Sequence, residues 1–200
     1  MIGVIDFGAG NTRSVLRALR AVGADARLIA DGAEVGSFNR LVLPGVGAAG
    51  SAVAEMRRRG QWDLVGDWAR ARRPLLAICL GAQLLLDHSE EDDTPGLGLL
   101  EGTCRAFPSP DRGGPARVPH IGWNAVHLAG ERSAEAYFVH GYWLDATDQR
   151  TVVGTTEVDG FHFPSLLRRG ALTGTQFHPE KSGPFGRALL AAFATGLLDA

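Results

Sequence analysis

The sequence predicts an open α/β sheet, parallel in its first half, mixed in its second and flanked by helices. Three observations carry this. Between residues 1 and 87, short apolar runs alternate with stretches whose apolar residues recur at helical spacing. The run "LLAIC" (75–79) is apolar throughout, as suits a strand buried on both faces of a parallel sheet. After residue 100 the runs are strand-like with turns between them, and a helical pattern returns only near the end.

Taken in order, "IGVIDF" (2–7) is a first strand, followed by the turn Gly8-Ala9-Gly10. Asn11 then stands where a cap would precede a helix carrying Val15, Leu16, Leu19 and Val22 on one face. "ARLIA" (26–30) and "RLVLP" (40–44) are the next strands, the latter cut off by Pro44-Gly45. Helices are expected over 48–59 and 61–72, ahead of the strand at 75–79. Later strands fall at "GTCRAF", "PHIGWNAVHL", "AYFVHGYWL", "TVVGTTEV", "FPSLL" and "ALTGTQFH". A closing helix over 184–198 repeats Phe185, Leu189, Phe193 and Leu197 every four residues. With no repeat, linker or low-complexity tract, the 200 residues are expected to form one domain.

Composition narrows the function classes. The formal charge of −2 gives no signal for nucleic acid. The clusters Arg57-Arg58-Arg59 and Arg70, Arg72, Arg73 read as solvated helix faces. Two cysteines make no disulfide framework, and a reducing compartment is the default. The N-terminus has no basic region before an apolar stretch, and no apolar run reaches the length of a membrane span. These features predict a cytoplasmic protein. No H-E-x-x-H or C-x-x-C spacing suggests a metal. A dinucleotide loop is excluded at Gly8, because the third glycine of G-x-G-x-x-G would fall on Arg13.

Two segments carry chemistry. In "AICLGAQ" (77–83), Ala77 and Gly81 flank Cys79 at two-residue spacing, the small-residue pattern of a strand-to-helix elbow. Such a turn places a side chain at the carboxyl end of a strand, where open α/β sheets bind ligands, and the start of a helix favours thiolate over thiol. A core cysteine is the plain alternative, and Cys104, without this context, is expected to be one. In "QFHPEKS" (176–182), Glu180 stands two residues after His178, where an extended chain puts both on one side and a carboxylate can orient an imidazole. Among the other five histidines only His88, with Glu90, shares that spacing, and it lies outside the segments that carry the pattern. Acyl transfer also needs an oxyanion hole. The N–H of Leu80 and the loop Gly45-Val46-Gly47 are the candidate donors.

Together, "PGVG" (44–47), "AICLGAQ", "PHIGWN" (119–124) and "QFHPEKS" resemble the class I glutamine amidotransferases. The resemblance is closest to the glutaminase subunits of imidazole glycerol phosphate synthase and runs almost end to end, through "IDFGAGN", "GLGLL", "YFVHGYW" and "VVGTTE". It implies that Cys79 attacks the side-chain amide of L-glutamine, that His178 carries the proton and that Glu180 orients His178. It implies a thioester intermediate, no cofactor, and delivery of ammonia to a separate (β/α)8-barrel cyclase in a heterodimer. It assigns Gly81 and Gln83 to the substrate pocket, and Asn11, Trp123, Asn124 and Lys181 to the partner or the ammonia passage. The chain departs from the family pattern at Ala77, Ala82 and Gly141-Tyr142-Trp143. A glutaminase feeding another synthase, a cysteine peptidase and an inactive scaffold are the rival readings.

Overall fold

The computed structural model describes residues 1–8, 11–31, 36–130 and 132–199. Ala9 and Gly10 of the first turn lie outside them. Five parallel strands form the first part of a nine-stranded sheet: β1 (Ile2–Ile5), β2 (Ala26–Ile29), β3 (Arg40–Gly45), β4 (Leu75–Cys79) and, from the far end of the chain, β13 (Leu172–Thr175). Four antiparallel strands extend it: β8 (His120–Leu128), β9 (Arg132–His140), β11 (Val152–Val158) and β12 (Phe161–Arg169). The order is β2-β1-β3-β4-β13-β12-β11-β8-β9. The mixed sheet expected from the sequence is therefore present, with β4 between β3 and β13.

Helices cover both faces. On one side α2 (Ala49–Arg58) and α3 (Gln61–Arg70) pack Met56, Val65 and Trp68 against Leu41, Leu43 and Leu75. On the other, α1 (Thr12–Ala21) and α5 (Gly183–Thr195) contribute Val15, Leu19, Leu190 and Phe193. Each such buried Leu or Phe stabilises the fold by about 1.5–3 kcal/mol. The arginine clusters serve these helices: Arg58 and Arg59 pair with Glu55, and Arg70 pairs with Asp67. Among the described residues, no helix is long and apolar enough to cross a membrane.

Several local expectations are corrected. Asn11 precedes α1, but its side chain makes no cap hydrogen bond; it reaches Glu180 instead. The run "AYFVHGYWL" is not one strand. It breaks at Gly141, so that β9 stays in the large sheet and β10 (Tyr142–Ala146) enters a second, four-stranded one. That sheet, ordered β10-β7-β5-β6 with β5 (His88–Ser89), β6 (Thr94–Pro95) and β7 (Gly102–Ala106), has strands too short to read from sequence alternation. The closing helix ends at Thr195, because Gly196 adopts a left-handed φ of 89° and caps it. Leu197 consequently lies outside the helix and is 75% exposed rather than buried. The helical stretch after Cys79 is a single turn, α4 (Leu80–Gln83).

Candidate active site

Three neighbouring strands end at the same edge of the sheet. β3 delivers the Gly45-Val46-Gly47 loop, β4 delivers Cys79, and β13 leads through Gln176 and Phe177 to His178. This is the carboxyl edge, the usual ligand edge of such sheets.

Cys79 is the residue in which β4 ends and α4 begins. Its φ of 53° and ψ of −112° are strained for a non-glycine residue. Side-chain alternation along β4 would group Cys79 with Leu75 and Ala77. The turn instead packs it with Leu76 and Ile78. Small residues make the turn possible. A Cβ on Gly81 would stand 2.1 Å from the Leu43 carbonyl oxygen, and one on Gly45 would stand 2.8 Å from the Gly81 nitrogen. Loop and elbow therefore interlock through two glycines. Leu80 opens the helical turn, where leading N–H groups lack a carbonyl four residues back.

His178 and Glu180 meet as expected, with Nδ1 to Oε1 at 2.8 Å. The backbone route differs from the extended one anticipated: Pro179–Lys181 is a 3-10 turn, and His178 precedes it. Two hydrogen bonds strap that segment to β9, and a third closes it on itself. The His178 N–H donates to the Tyr137 carbonyl at 2.9 Å. The Tyr137 N–H donates to Ser182 Oγ at 3.0 Å, and the Ser182 hydroxyl donates to the His178 carbonyl at 2.6 Å. Asn11 Nδ2 donates to Glu180 Oε1 at 2.8 Å, so the oxygen that faces His178 is held from a second side. The side chains of His178 and Glu180 are 2% and 0% exposed. Among the described residues, His178 Nε2 is buried without a hydrogen-bond partner, leaving this ring atom for the thiol.

Burial of His178 works against its charge, but Cys79 and Glu180 outweigh it and raise its pKa to about 9. The ring thus keeps its proton at neutral pH. A proton donor of this kind supports expulsion of an amine and is lost as pH rises through about 9. Glu180→Gln removes one of the groups that hold the proton. Turnover is expected to fall by on the order of 10²–10⁴. The alkaline limb of kcat/KM should also move to lower pH. A pH–rate series on both proteins checks this, and an unmoved limb would remove Glu180 from the role.

A cleft of about 270 Å³ opens over the thiol, lined by Val46, Gly47, Cys79, Leu80, Gln83, Glu91, Pro119, Val139, His140, Gly141 and Tyr142. This is a small cavity, suited to a ligand the size of an amino acid. Gln83 Nε2 donates to the Tyr142 carbonyl at 3.1 Å and lies 3.4 Å from Gln176 Oε1. Gln176 Nε2 is 3.9 Å from Cys79 Sγ, and the thiol lies 3.7 Å from the Val139 carbonyl. Among the described residues, a Cβ at Gly141 would meet only Val118 Cγ1, at 3.9 Å, so its small size is not required by packing. Ala82 is fully buried, 3.4 Å through its Cβ from where Gly174 would carry one.

Glu91 was not anticipated from the sequence, since it sits in an acidic stretch, Glu90 to Asp93, that resembles an ordinary surface loop. It lines the cleft and accepts the Ala49 N–H at 2.9 Å, capping α2. Burial raises its carboxyl above the ordinary value, opposed by the Ala49 N–H and aided by the Asp92 charge. Gln176 and Ser182 were also missed as individual residues, although both lie within the "QFHPEKS" segment.

The remaining predicted residues separate. Trp123 is 56% exposed, alongside Ile121 at 60% and Val118 at 50%. Its ring lies edge-on to Tyr137, and Lys181 Nζ sits 5.4 Å from the Tyr137 ring. Asn124 is turned inward, its amide donating to the Glu157 carbonyl at 2.8 Å and contacting His120 at 3.3 Å. Cys104 is fully buried, and burial pushes its thiol up to about 12, an inert position as expected.

Residues 3–197 match the family model described as "Glutamine amidotransferase class-I". The "Imidazole glycerol phosphate synthase subunit HisH" of Streptococcus sanguinis (strain SK36) is 42% identical, with 96% of this chain and 95% of that one covered. The subunit of the same name from Rhodopirellula baltica (strain DSM 10527 / NCIMB 13988 / SH1) is 40% identical, over 100% and 99% of the two chains. Among solved structures, a glutamine amidotransferase shares the fold with a TM-score of 0.77 at 21% identity, over 97% of this chain and 98% of that one. PurLQS from Thermotoga maritima aligns with a TM-score of 0.76 at 16% identity, over 98% of each chain. With the elbow, the His-Glu pair and a match along nearly its whole length, this chain belongs to the class I glutamine amidotransferase family.

Proposed function

We propose that this chain, as one domain, is the glutaminase subunit of an imidazole glycerol phosphate synthase, converting L-glutamine and water to glutamate and ammonia for use by a cyclase partner. The observation that carries the reading is that Cys79 lines one small cleft with Gln83 and Glu91, with the buried His178–Glu180 pair beside the thiol. Relatives about 40% identical along both chains bear that subunit's name.

The geometry supports the following sequence. The Cys79 thiolate attacks the side-chain amide carbon, and the carbonyl electrons move onto oxygen. The Leu80 N–H and an N–H of the Gly45–Gly47 loop stabilise that oxyanion. His178 gives its Nε2 proton to the amide nitrogen, the C–N bond breaks, and ammonia leaves with a thioester on Cys79. Neutral His178 then takes a proton from water as water attacks the thioester, and the thiolate departs. Glu180 keeps Nδ1 protonated throughout, so Nε2 is always the atom that exchanges. Glu91 is the acidic side chain of the cleft and the natural partner for the substrate's α-ammonium group.

The exposed group Val118, Ile121 and Trp123, beside Tyr137 and Lys181, suits a docking surface for the partner. Because Tyr137 is hydrogen-bonded to the His178 segment, a partner seated there would press on the catalytic loop directly. Asn11, which braces Glu180, belongs to the same end of the molecule.

Glutamate release, measured for the chain alone and with a cyclase of the histidine pathway and its nucleotide ligand, tests this reading. A rise of at least tenfold on adding both is expected, within the usual range of coupling between sites. High activity that ignores the cyclase would point to another acceptor.

A further inference from the structure

Two buried histidines lie beside the site and are not used by the chemistry above. His120 on β8 and His140 on β9 are cross-strand partners in the sheet register. Their rings touch, with His120 Nδ1 to His140 Nε2 at 3.0 Å. Phenylalanine rings surround them: Phe107 and Phe163 each lie 5.4 Å from the His140 ring, and Phe138 lies 5.0 Å from that of His120.

The two ends of this chain of contacts are main-chain carbonyls, which only accept. At one end, His140 Nδ1 lies 2.8 Å from the Tyr142 carbonyl, so Nδ1 carries the hydrogen. At the other, Asn124 Nδ2 donates to the Glu157 carbonyl at 2.8 Å, while Asn124 Oδ1 accepts the Ala125 N–H at 2.7 Å. The Asn124 amide therefore cannot be flipped. Its second hydrogen points at His120 Nε2, 3.3 Å away, which must accept. His120 then bears its hydrogen on Nδ1 and gives it to His140 Nε2. Every proton in the row is fixed, and both rings are neutral. Burial, the main influence, lowers both pKa values, that of His140 to about 3.

The row ends on a wall of the cleft. The Tyr142 carbonyl that receives His140 also receives Gln83, and His140, Gly141 and Tyr142 all line the cavity over Cys79. Gly141 is where the chain leaves the large sheet for the small one, so neither ladder holds it in place. We propose that His120 and His140 are positioning residues: a neutral imidazole pair, ordered between two carbonyls, that pins the Gly141–Tyr142 wall of the amide pocket and so sets glutamine affinity. This role rests on the glutaminase reading.

The first test is nitrogen NMR of the imidazoles in the intact, unmodified chain at neutral pH. Both His120 and His140 should be Nδ1–H tautomers, the opposite of the form free histidine prefers. An Nε2–H tautomer or a charged ring at either position would overturn the proposal. The second compares His120→Asn, whose amide nitrogen reproduces the Nδ1 donor, with His120→Leu, which has none. With the partner and its ligand present, His120→Leu should raise KM for glutamine about tenfold, the equivalent of one hydrogen bond. Its kcat should change less than KM, and His120→Asn should restore most of the loss. Equal KM values for the two variants, or a loss in kcat with KM unmoved, would overturn the role. If the parent chain turns over no glutamine with its partner, the glutaminase reading itself fails, and that is seen before any variant is made.

Discussion

Cys79→Ala should lower glutamine turnover by on the order of 10⁴–10⁶, the loss seen when a covalent nucleophile is removed from a catalytic unit. The fold should survive. The substitution deletes one sulfur atom whose contacts with the Val139 carbonyl and Gln176 Nε2, at 3.7 and 3.9 Å, are long. Alanine meets the same backbone strain at φ 53° that cysteine already bears. Stability should therefore change by no more than about 1 kcal/mol. Glutamate formation and thermal unfolding, read on the same preparation, separate the two effects. Retained turnover in this variant would remove the thiol from the reaction. Cys104→Ala serves as the contrast, because its thiol is fully buried in the hydrophobic core on the α2–α3 side of the sheet. It should alter stability through packing and leave chemistry alone.

Gly81→Ala should have the largest effect of any single methyl addition at the site. The new Cβ would stand 2.1 Å from the Leu43 carbonyl oxygen and 3.0 Å from its carbon, both backbone atoms. Neither can step aside as a flexible side chain would, so β3 and the elbow must separate. Overpacking of this kind costs about 1–3 kcal/mol, occasionally more. Activity should suffer beyond the stability loss. The displaced segments carry Cys79 and the Gly45–Gly47 loop, and misplacement of a catalytic group by about 1 Å can cost about 100-fold in rate. Gly36→Ala is the control, since among the described residues a Cβ there meets nothing within 4 Å and φ is unstrained. Thermal unfolding together with kcat would show the difference. A Gly81→Ala protein with parental stability and rate would mean that the elbow does not depend on this close approach.

Much of the site was legible because its chemistry is local in sequence. Cys79 with its small neighbours, and His178 with Glu180, are each contained in a few residues. The alternation of apolar runs then places the strands bearing them side by side. What could not be read is what long-range packing decides. Glu91 lies in an acidic turn, and only the fold brings its carboxylate to the N-terminus of α2 and into the cleft. Asn11 has the residue type and position of a helix cap, yet the partner it takes is Glu180, 169 residues away. The break of "AYFVHGYWL" at Gly141 was hidden because both halves have strand character, and a switch between sheets leaves no periodic mark. The pairing of His120 with His140 depends on cross-strand register, which no single segment specifies.

One thiol acting on one substrate is the core of the proposed chemistry. An electrophilic glutamine analogue, a γ-position chloroketone for example, followed by peptide mass mapping, tests this most directly. A single adduct is expected on the peptide containing Cys79, none on Cys104, with protection by excess L-glutamine. Labelling that glutamine does not suppress, or that falls on Cys104, would contradict it.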